Sequence, residues 1–157
     1  MEQVIVSAVT SDASEAKLMI TGVPDQPGIA GALFRALADK AVNVDMIVQN
    51  TSIEGTTDIS FTVPKVDLDT SLDVARRLVA EIGATEVVAD DGIAKVSLVG
   101  AGMKSHPGVS ATMFETLAEA GINIEMISTS SIRISCVVRA DRVEDAVRLL
   151  HAAFELS

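Results

Sequence analysis

The sequence contains no tryptophan and no tyrosine, and aromatic residues make up only 3% of it. Base-stacking surfaces need aromatic rings, so an RNA-recognition role is disfavoured at once. Cysteine occurs once, at Cys136. That excludes an intrachain disulfide and agrees with a reducing compartment. Positive charge is scarce, with 12 Lys and Arg against 22 Asp and Glu, a net charge of −10. An acidic surface repels phosphate backbones and anionic headgroups, so neither nucleic acid nor a membrane is an expected partner. No apolar run approaches the ~18 residues of a membrane span. The start, MEQVIVSAVTSD, has no basic n-region and no apolar h-region. No signal peptide is read there, and a cytoplasmic protein is expected. Histidine occurs twice, at His106 in a Lys-Ser-His-Pro loop and at His151. Neither has the partners of a Ser/His/Asp set or of a metal-spaced cluster, so no catalytic residue, cofactor or metal ligand is assigned.

What is present is aliphatic. Apolar residues reach 48% with a mean hydropathy of +0.40, enough for a core of Val, Ile, Leu, Ala and Met. A length of 157 residues suits one ordinary domain or two small ones. An internal repeat decides between them. PGIAGALFRALADKAVNVDMI from Pro27 and PGVSATMFETLAEAGINIEMI from Pro107 are offset by 80 residues and share eight identities in 21 positions. Five further positions exchange Ile with Val or Asp with Glu. Upstream, AKLMITG at Ala16 resembles AKVSLVG at Ala94.

Each copy reads as strand, helix, strand, strand, helix. The first strands are Lys17 to Gly22 and Lys95 to Gly100. A loop closing on Pro-Gly leads into a helix, where Pro is tolerated because its missing N–H is an orphan anyway. Ala30, Leu33, Phe34, Leu37, Ala38 and Ala41 keep helical spacing, and Gly121 suits a C′ position in the second copy. Strands follow at Asn43 to Asn50 and Asn123 to Ser130. The turn signal Glu54-Gly55 leads to a return strand with Ile59, Phe61 and Val63 on one face. Its counterpart is Ile132 to Val138, where Cys136 shares a face with Ile132 and Ile134 and reads as a small buried hydrophobe. Second helices are predicted at Thr70 to Ile82, opened by a capping box Thr70-Ser71-Leu72-Asp73, and at Asp141 to Phe154, capped by Asp141. The first copy ends in a strand, Thr85 to Ala89. The second copy has none after its helix, while Gln3 to Val9 reads as a strand with no place in the first copy. The N-terminal strand is therefore expected to cross over and complete the second sheet. The fold class is α+β, two interleaved ferredoxin-like βαββαβ domains, residues 16–90 and residues 3–9 plus 94–157, each an antiparallel sheet with helices on one face.

That order serves many functions, and the loops are more specific. VPDQPGIAGALFRALADKAVNVDMIVQN resembles the effector loop and helix of an ACT domain, which often carries D-x-P-G. GAGMKSHPGVSATMFETLAEAGINIEMISTSSIRIS together with EGTTDISFT resembles the C-terminal regulatory half of aspartokinases, across essentially the whole chain. With Met1 at the start of that region, the resemblance implies a separately produced regulatory beta subunit. Neither a K-F-G-G-[ST] kinase opening nor a G-x-x-x-x-G-K-[ST] loop occurs. The chain is thus expected to be a non-catalytic part of an ATP:L-aspartate 4-phosphotransferase. It would mediate feedback inhibition of the pathway to lysine, threonine and methionine.

A free amino acid presents a carboxylate, an ammonium and a side chain. Backbone N–H groups of Gly28, Ile29 and Ala30 at a helix start suit the carboxylate. Asp25 lies in the right loop for the ammonium, and the Gln49 amide can read a hydroxyl by donating and accepting. The resemblance implies threonine as the effector, with lysine as a second candidate. It also implies a pocket between two chains of a homodimer, with Asn123 and Ile124 contributed by the partner, and assembly with a catalytic alpha subunit. Each residue also has a plainer role: Asp25 and Gly28 as turn residues, Gln49 as a polar strand end, Asn123 as a strand opener. The second loop replaces Asp25-Gln26 by Ser105-His106 and Gln49 by Thr129, so a duplicate threonine pocket is not expected there. Ser52, Met103, Ser105, His106 and Ser128 are weak candidates for a second effector or for transmission, or ordinary loop polarity. Competing readings are a regulatory subunit of another enzyme, such as the small subunit of acetolactate synthase, and a stand-alone sensor. An apolar ligand leaves Gln49 without a role, and no helix-turn-helix or basic patch supports a transcription regulator.

Overall fold

The computed structural model describes residues 5–51 and 54–156. The chain forms two compact units, one of residues 14–91 and one combining residues 5–13 with 92–156. Each is a four-stranded antiparallel sheet with two helices on one face.

In the unit of residues 14–91, the elements are β2 (Glu15–Pro24), α1 (Ile29–Asp39), β3 (Ile47–Thr51), β4 (Thr56–Pro64), α2 (Leu68–Ile82) and β5 (Glu86–Asp90). The strand order is β3-β4-β2-β5. Leu18 and Ile20 of β2 and Ile59, Phe61 and Val63 of β4 meet Leu33 and Leu37 of α1 and Ala75 and Leu78 of α2. The alternation read from Ile59, Phe61 and Val63 is realised, all three being 1% exposed or less. Phe34 meets Phe61 edge-on with ring centroids 5.6 Å apart. Thr62 is also buried although it alternates with them. Its hydroxyl accepts the N–H of Met46 at 3.1 Å, so the polar group is satisfied.

The other unit is built from β1 (Val6–Asp12), β6 (Ile93–Gly100), α3 (Gly108–Glu119), β7 (Met126–Thr129), β8 (Arg133–Arg139) and α4 (Val143–Ala153). Its strand order is β1-β6-β8-β7. The N-terminal strand therefore lies beside β6, in antiparallel register from Val6↔Gly100 to Asp12↔Lys95. Its core joins Val96, Leu98, Met113, Leu117, Ile134, Cys136, Val138, Ala146 and Leu150. The two sheets share a register, since Ile47 faces Phe61 and Ile127, 80 residues on, faces Cys136.

Several boundaries differ from those read in the sequence. The capping box at Thr70 does not form. A 3₁₀ turn, Lys65–Asp67, runs straight into α2, so Thr70 is already inside the helix and Asp67 caps it without a side-chain bond. Ser71 instead donates back to the Asp67 carbonyl at 2.7 Å. Asp141 likewise lies in a 3₁₀ turn, and Arg142 takes the cap position of α4. The strands after α1 and α3 start later than Asn43 and Asn123. Asp45 and Glu125 hydrogen-bond Thr62 and Val137 at 3.0 and 2.8 Å just ahead of β3 and β7. Ile132 does not join the buried face. It is 59% exposed because residues 130–133 turn about Ser130, whose hydroxyl oxygen accepts the N–H of Ile132 and of Arg133. Ala38 and Ala41 are exposed rather than part of the buried stripe. Among the described residues no helix is long and apolar enough to cross a membrane.

Candidate functional site

The β2–α1 loop and the end of β3 enclose a pocket of about 350 Å³. It gathers Asp25, Gly28, Ile29, Ala30 and Gln49, five of the residues singled out in the sequence. Gly28 occupies the N-cap of α1 with φ of 91°, a left-handed conformation that favours glycine, and no side chain caps the helix. The first-turn N–H groups of the helix are consequently left for a ligand. A Cβ on Gly28 would meet nothing within 4 Å, so the glycine serves the backbone turn rather than relieving a steric clash. Asp25 is exposed at the rim, and its N–H is fixed by the Gly55 carbonyl at 3.1 Å. The Gln49 side chain is exposed on the edge strand β3.

The pocket floor was not anticipated. Val23, Thr57 and Ile59 line it and are 1–2% exposed. Ile59 lies directly across the ladder from Gln49, and Thr57 from Thr51. The hairpin was readable from Glu54-Gly55, but the pairing register that places Ile59 beneath Gln49 was not. Thr57 donates its hydroxyl hydrogen to the Asn50 carbonyl. Pro24, Gln26 and Pro27 complete the wall. A hollow so built offers a helix start for a carboxylate, a carboxylate for a cation, an amide for a hydroxyl, and an apolar floor for a methyl group.

The remaining candidates lie elsewhere. Asn123 and Ile124 belong to the other unit, between α3 and β7; Asn123 is exposed and Ile124 packs on that unit's core. Met103 is buried and lines a separate hollow of that unit. Ser105 and His106 are exposed near the start of α3, and His106 Nδ1 lies 2.8 Å from the Gly102 carbonyl. Ser128 is exposed on β7, opposite Ser135. Ser52 lies outside the described residues. Among the described residues no group of three His, Cys, Asp or Glu is placed to hold a metal.

Repeated βαββαβ units with a pocket at the loop before the first helix define a class, and sequence comparison agrees. The ACT domain family model matches residues 18–77 and 96–154, and the chain belongs to that family. Its relatives narrow the placement. It is 48% identical over 158 residues to the aspartokinase of Corynebacterium glutamicum, a match covering 99% of this chain and 38% of that protein. The regulatory subunit of aspartate kinase from Thermus thermophilus, in its ligand-free form, superposes with a TM-score of 0.91 at 43% identity. That match covers 96% of this chain and 99% of the other. A structure of aspartokinase alpha and beta subunits gives 0.90 at 47% identity, with the same coverage. The chain thus corresponds to the ACT-domain regulatory region of bacterial aspartokinases, and its role there is regulatory, not catalytic. It spans 38% of the length of the full aspartokinases it matches.

Proposed function

We propose that this chain is an amino-acid-sensing regulatory subunit that confers feedback inhibition by threonine, with lysine as a second effector, on an aspartate kinase. The observation that carries the reading is the meeting of Asp25, Gln49 and the uncapped start of α1 in one hollow. Threonine fits each part. Its carboxylate suits the N–H groups of Ile29 and Ala30, its ammonium Asp25, its hydroxyl the Gln49 amide, and its methyl the floor of Val23 and Ile59. The pocket is open, so its closure is assigned to a second copy, with Asn123 and Ile124 of the partner subunit covering the ligand. The functional units in this reading are residues 16–90 and residues 3–9 plus 94–157, and the assembly includes a catalytic subunit in the cytoplasm.

Inhibition then follows from linkage. Threonine shifts the quaternary equilibrium only by its difference in affinity for the two arrangements. A coupling of about 1–3 kcal/mol changes affinity roughly 5–150-fold. The test is a thermal-shift screen of the chain against the twenty amino acids. A ligand at about 100 times its Kd adds ~2.7 kcal/mol, several degrees in Tm for a protein of this size. A shift largest with threonine supports the reading. A shift led by valine or isoleucine would transfer it to a branched-chain sensor, and no shift with any amino acid would remove the pocket's assigned role.

A further inference from the structure

The strand β2 loses its alternation once, beside the pocket. Ala16, Leu18 and Ile20 are buried, so Gly22 is the next position due to face the core. Val23 is buried there instead. The partner strand β4 does not slip, since Thr57, Ile59, Phe61 and Val63 are buried in step. The ladder shows the cause. Ile20 pairs with Ile59 and Val23 with Thr57, so Thr21 and Gly22 together stand opposite the single residue Asp58. This is a β-bulge, with one extra residue in β2. It reverses the face to which the following residues point. Without it Val23 would leave the pocket floor for the opposite face of the sheet, and the chain entering the loop at Pro24 and Asp25 would turn with it.

Two ties hold the bulge. The N–H of Thr85 donates to the Thr21 carbonyl at 2.9 Å. Gly22 is left-handed, with φ of 64°, and a Cβ on it would collide with the Thr85 side chain. On the other side the N–H of Gly22 donates to Oδ1 of Asp58 at 3.1 Å. A bulge leaves its extra residue outside the ladder, and Asp58 supplies the acceptor that the ladder does not. Asp58 alternates with Thr57 and Ile59, so its side chain lies on the face away from the pocket, and it is not part of the lining. The other unit lacks this device. There β6 and β8 pair without a shift from Ile93↔Arg139 to Val99↔Arg133. Leu98 pairs with Ile134 as Ile20 pairs with Ile59, which puts Arg133 in the place of Asp58. Gly100, the counterpart of Gly22, is not left-handed.

We propose that Asp58 is a positioning residue for the effector pocket. From the far face of the sheet its carboxylate holds the bulge that turns Val23 into the floor and sets the entry of the Asp25 loop. The inference rests on the amino-acid pocket proposed above, and Asp58 touches no part of the ligand in it. Loss of Asp58 therefore weakens every amino acid that the pocket takes. The preference among them stays with Gln49.

The full chain is compared with Asp58→Ala, which removes the acceptor, and Asp58→Asn, which keeps an oxygen acceptor in the same place. Leu78→Val, a truncation in the core of the same unit outside the pocket lining, controls for lost stability. Calorimetry gives the affinities for threonine and valine. Magnetic resonance follows the exchange of the Gly22 amide and the methyl signals of Val23, assigned through Val23→Ala. Asp58→Ala is expected to weaken both ligands roughly three- to tenfold with their ratio kept. Its Gly22 amide should exchange faster and its Val23 methyl signals should move. Asp58→Asn should stay near the parent in all of these, and Leu78→Val should lower Tm with affinity unchanged. Parent-like affinity or Gly22 exchange in Asp58→Ala overturns the assignment of Asp58 alone. So does an Asn variant as weak as the Ala one, or an equal loss of affinity in Leu78→Val. A parent chain that binds a different amino acid retires threonine only, and the same comparison is read with that ligand. A parent that binds no amino acid retires the pocket, and the role of Asp58 with it.

Discussion

The backbone N–H of Asp25 donates to the carbonyl of Gly55 across 3.1 Å, tying the β2–α1 loop to the tip of the β3–β4 hairpin. A second tie runs from the N–H of Gly22 to Oδ1 of Asp58, also at 3.1 Å. The rim carboxylate of the pocket is thus positioned by Gly55, a hairpin residue that does not itself line the pocket. Gly55 itself has φ of 80°. Gly55→Ala forces a Cβ into the left-handed region at about 1–2 kcal/mol, although the space beyond is open. The turn should relax by moving its carbonyl. The expected outcome is a threonine affinity several-fold weaker by calorimetry, with Tm lowered by a few degrees. Unchanged affinity would mean that the hairpin does not set the position of Asp25.

Gln49→Ala and Asp25→Asn separate the two polar contacts proposed for threonine. A neutral hydrogen bond contributes about 0.5–1.5 kcal/mol net, so Gln49→Ala should weaken threonine roughly two- to tenfold. It should also narrow the preference for threonine over valine, because only threonine offers a hydroxyl. Asp25→Asn removes the charge that faces the ammonium and should weaken threonine and valine alike. Both side chains are exposed in the chain alone, so circular dichroism should report no loss of fold. Equal losses for threonine and valine in Gln49→Ala would end the assignment of Gln49 to the hydroxyl.

The repeat made most of the fold readable. Eight identities over 21 positions fixed two copies, and counting strands in each copy pointed to interleaved sheets. The stripe through Leu33 and Leu37 and the alternation of Ile59, Phe61 and Val63 reported burial directly, because a single core face decides those positions. Helix starts were less legible. Thr70-Ser71-Leu72-Asp73 looks like a cap locally, yet the 3₁₀ turns at 65–67 and 140–142 feed each helix early, a geometry set by the preceding strand. The loop residues Asp25, Gly28 and Gln49 were visible as chemistry. Thr57 and Ile59 were not, because they reach the pocket through cross-strand register, which a single sequence does not display.

Ala41 and Gly121 occupy equivalent positions after α1 and α3, and both are left-handed, with φ of 60° and 70°. Only one has the residue suited to it. Alanine in this conformation costs about 1–2 kcal/mol, and glycine returns part of that gain through the entropy of the unfolded chain. Ala41→Gly should therefore stabilise the protein by roughly 0.5–1 kcal/mol, or about 1–4 °C in Tm. Gly121→Ala should destabilise it by a similar amount. Opposite signs in paired melting experiments are the required result. A loss of stability in Ala41→Gly would show that helix propensity, not the left-handed turn, governs this position.

Cys136 is fully buried in the sheet-side core of its unit, and burial pushes its thiol up from 9.0 to about 12. The thiolate is the reactive form, so the native protein should resist alkylation that proceeds readily once it is unfolded. The same shift has a consequence for stability. Between about 9 and about 12 the unfolded thiol has lost its proton while the folded one retains it. The unfolded state therefore binds fewer protons in that window, and stability falls as pH rises through it. Below the window the thiol is neutral in both states and contributes no pH dependence. Cys136→Ala removes the titrating group and leaves a small cavity, so the variant should melt below the parent near neutrality. On raising the pH past about 9, the gap between the two melting temperatures should narrow. A gap that stays constant would mean that Cys136 reaches solvent in the folded protein and titrates there as it does when unfolded.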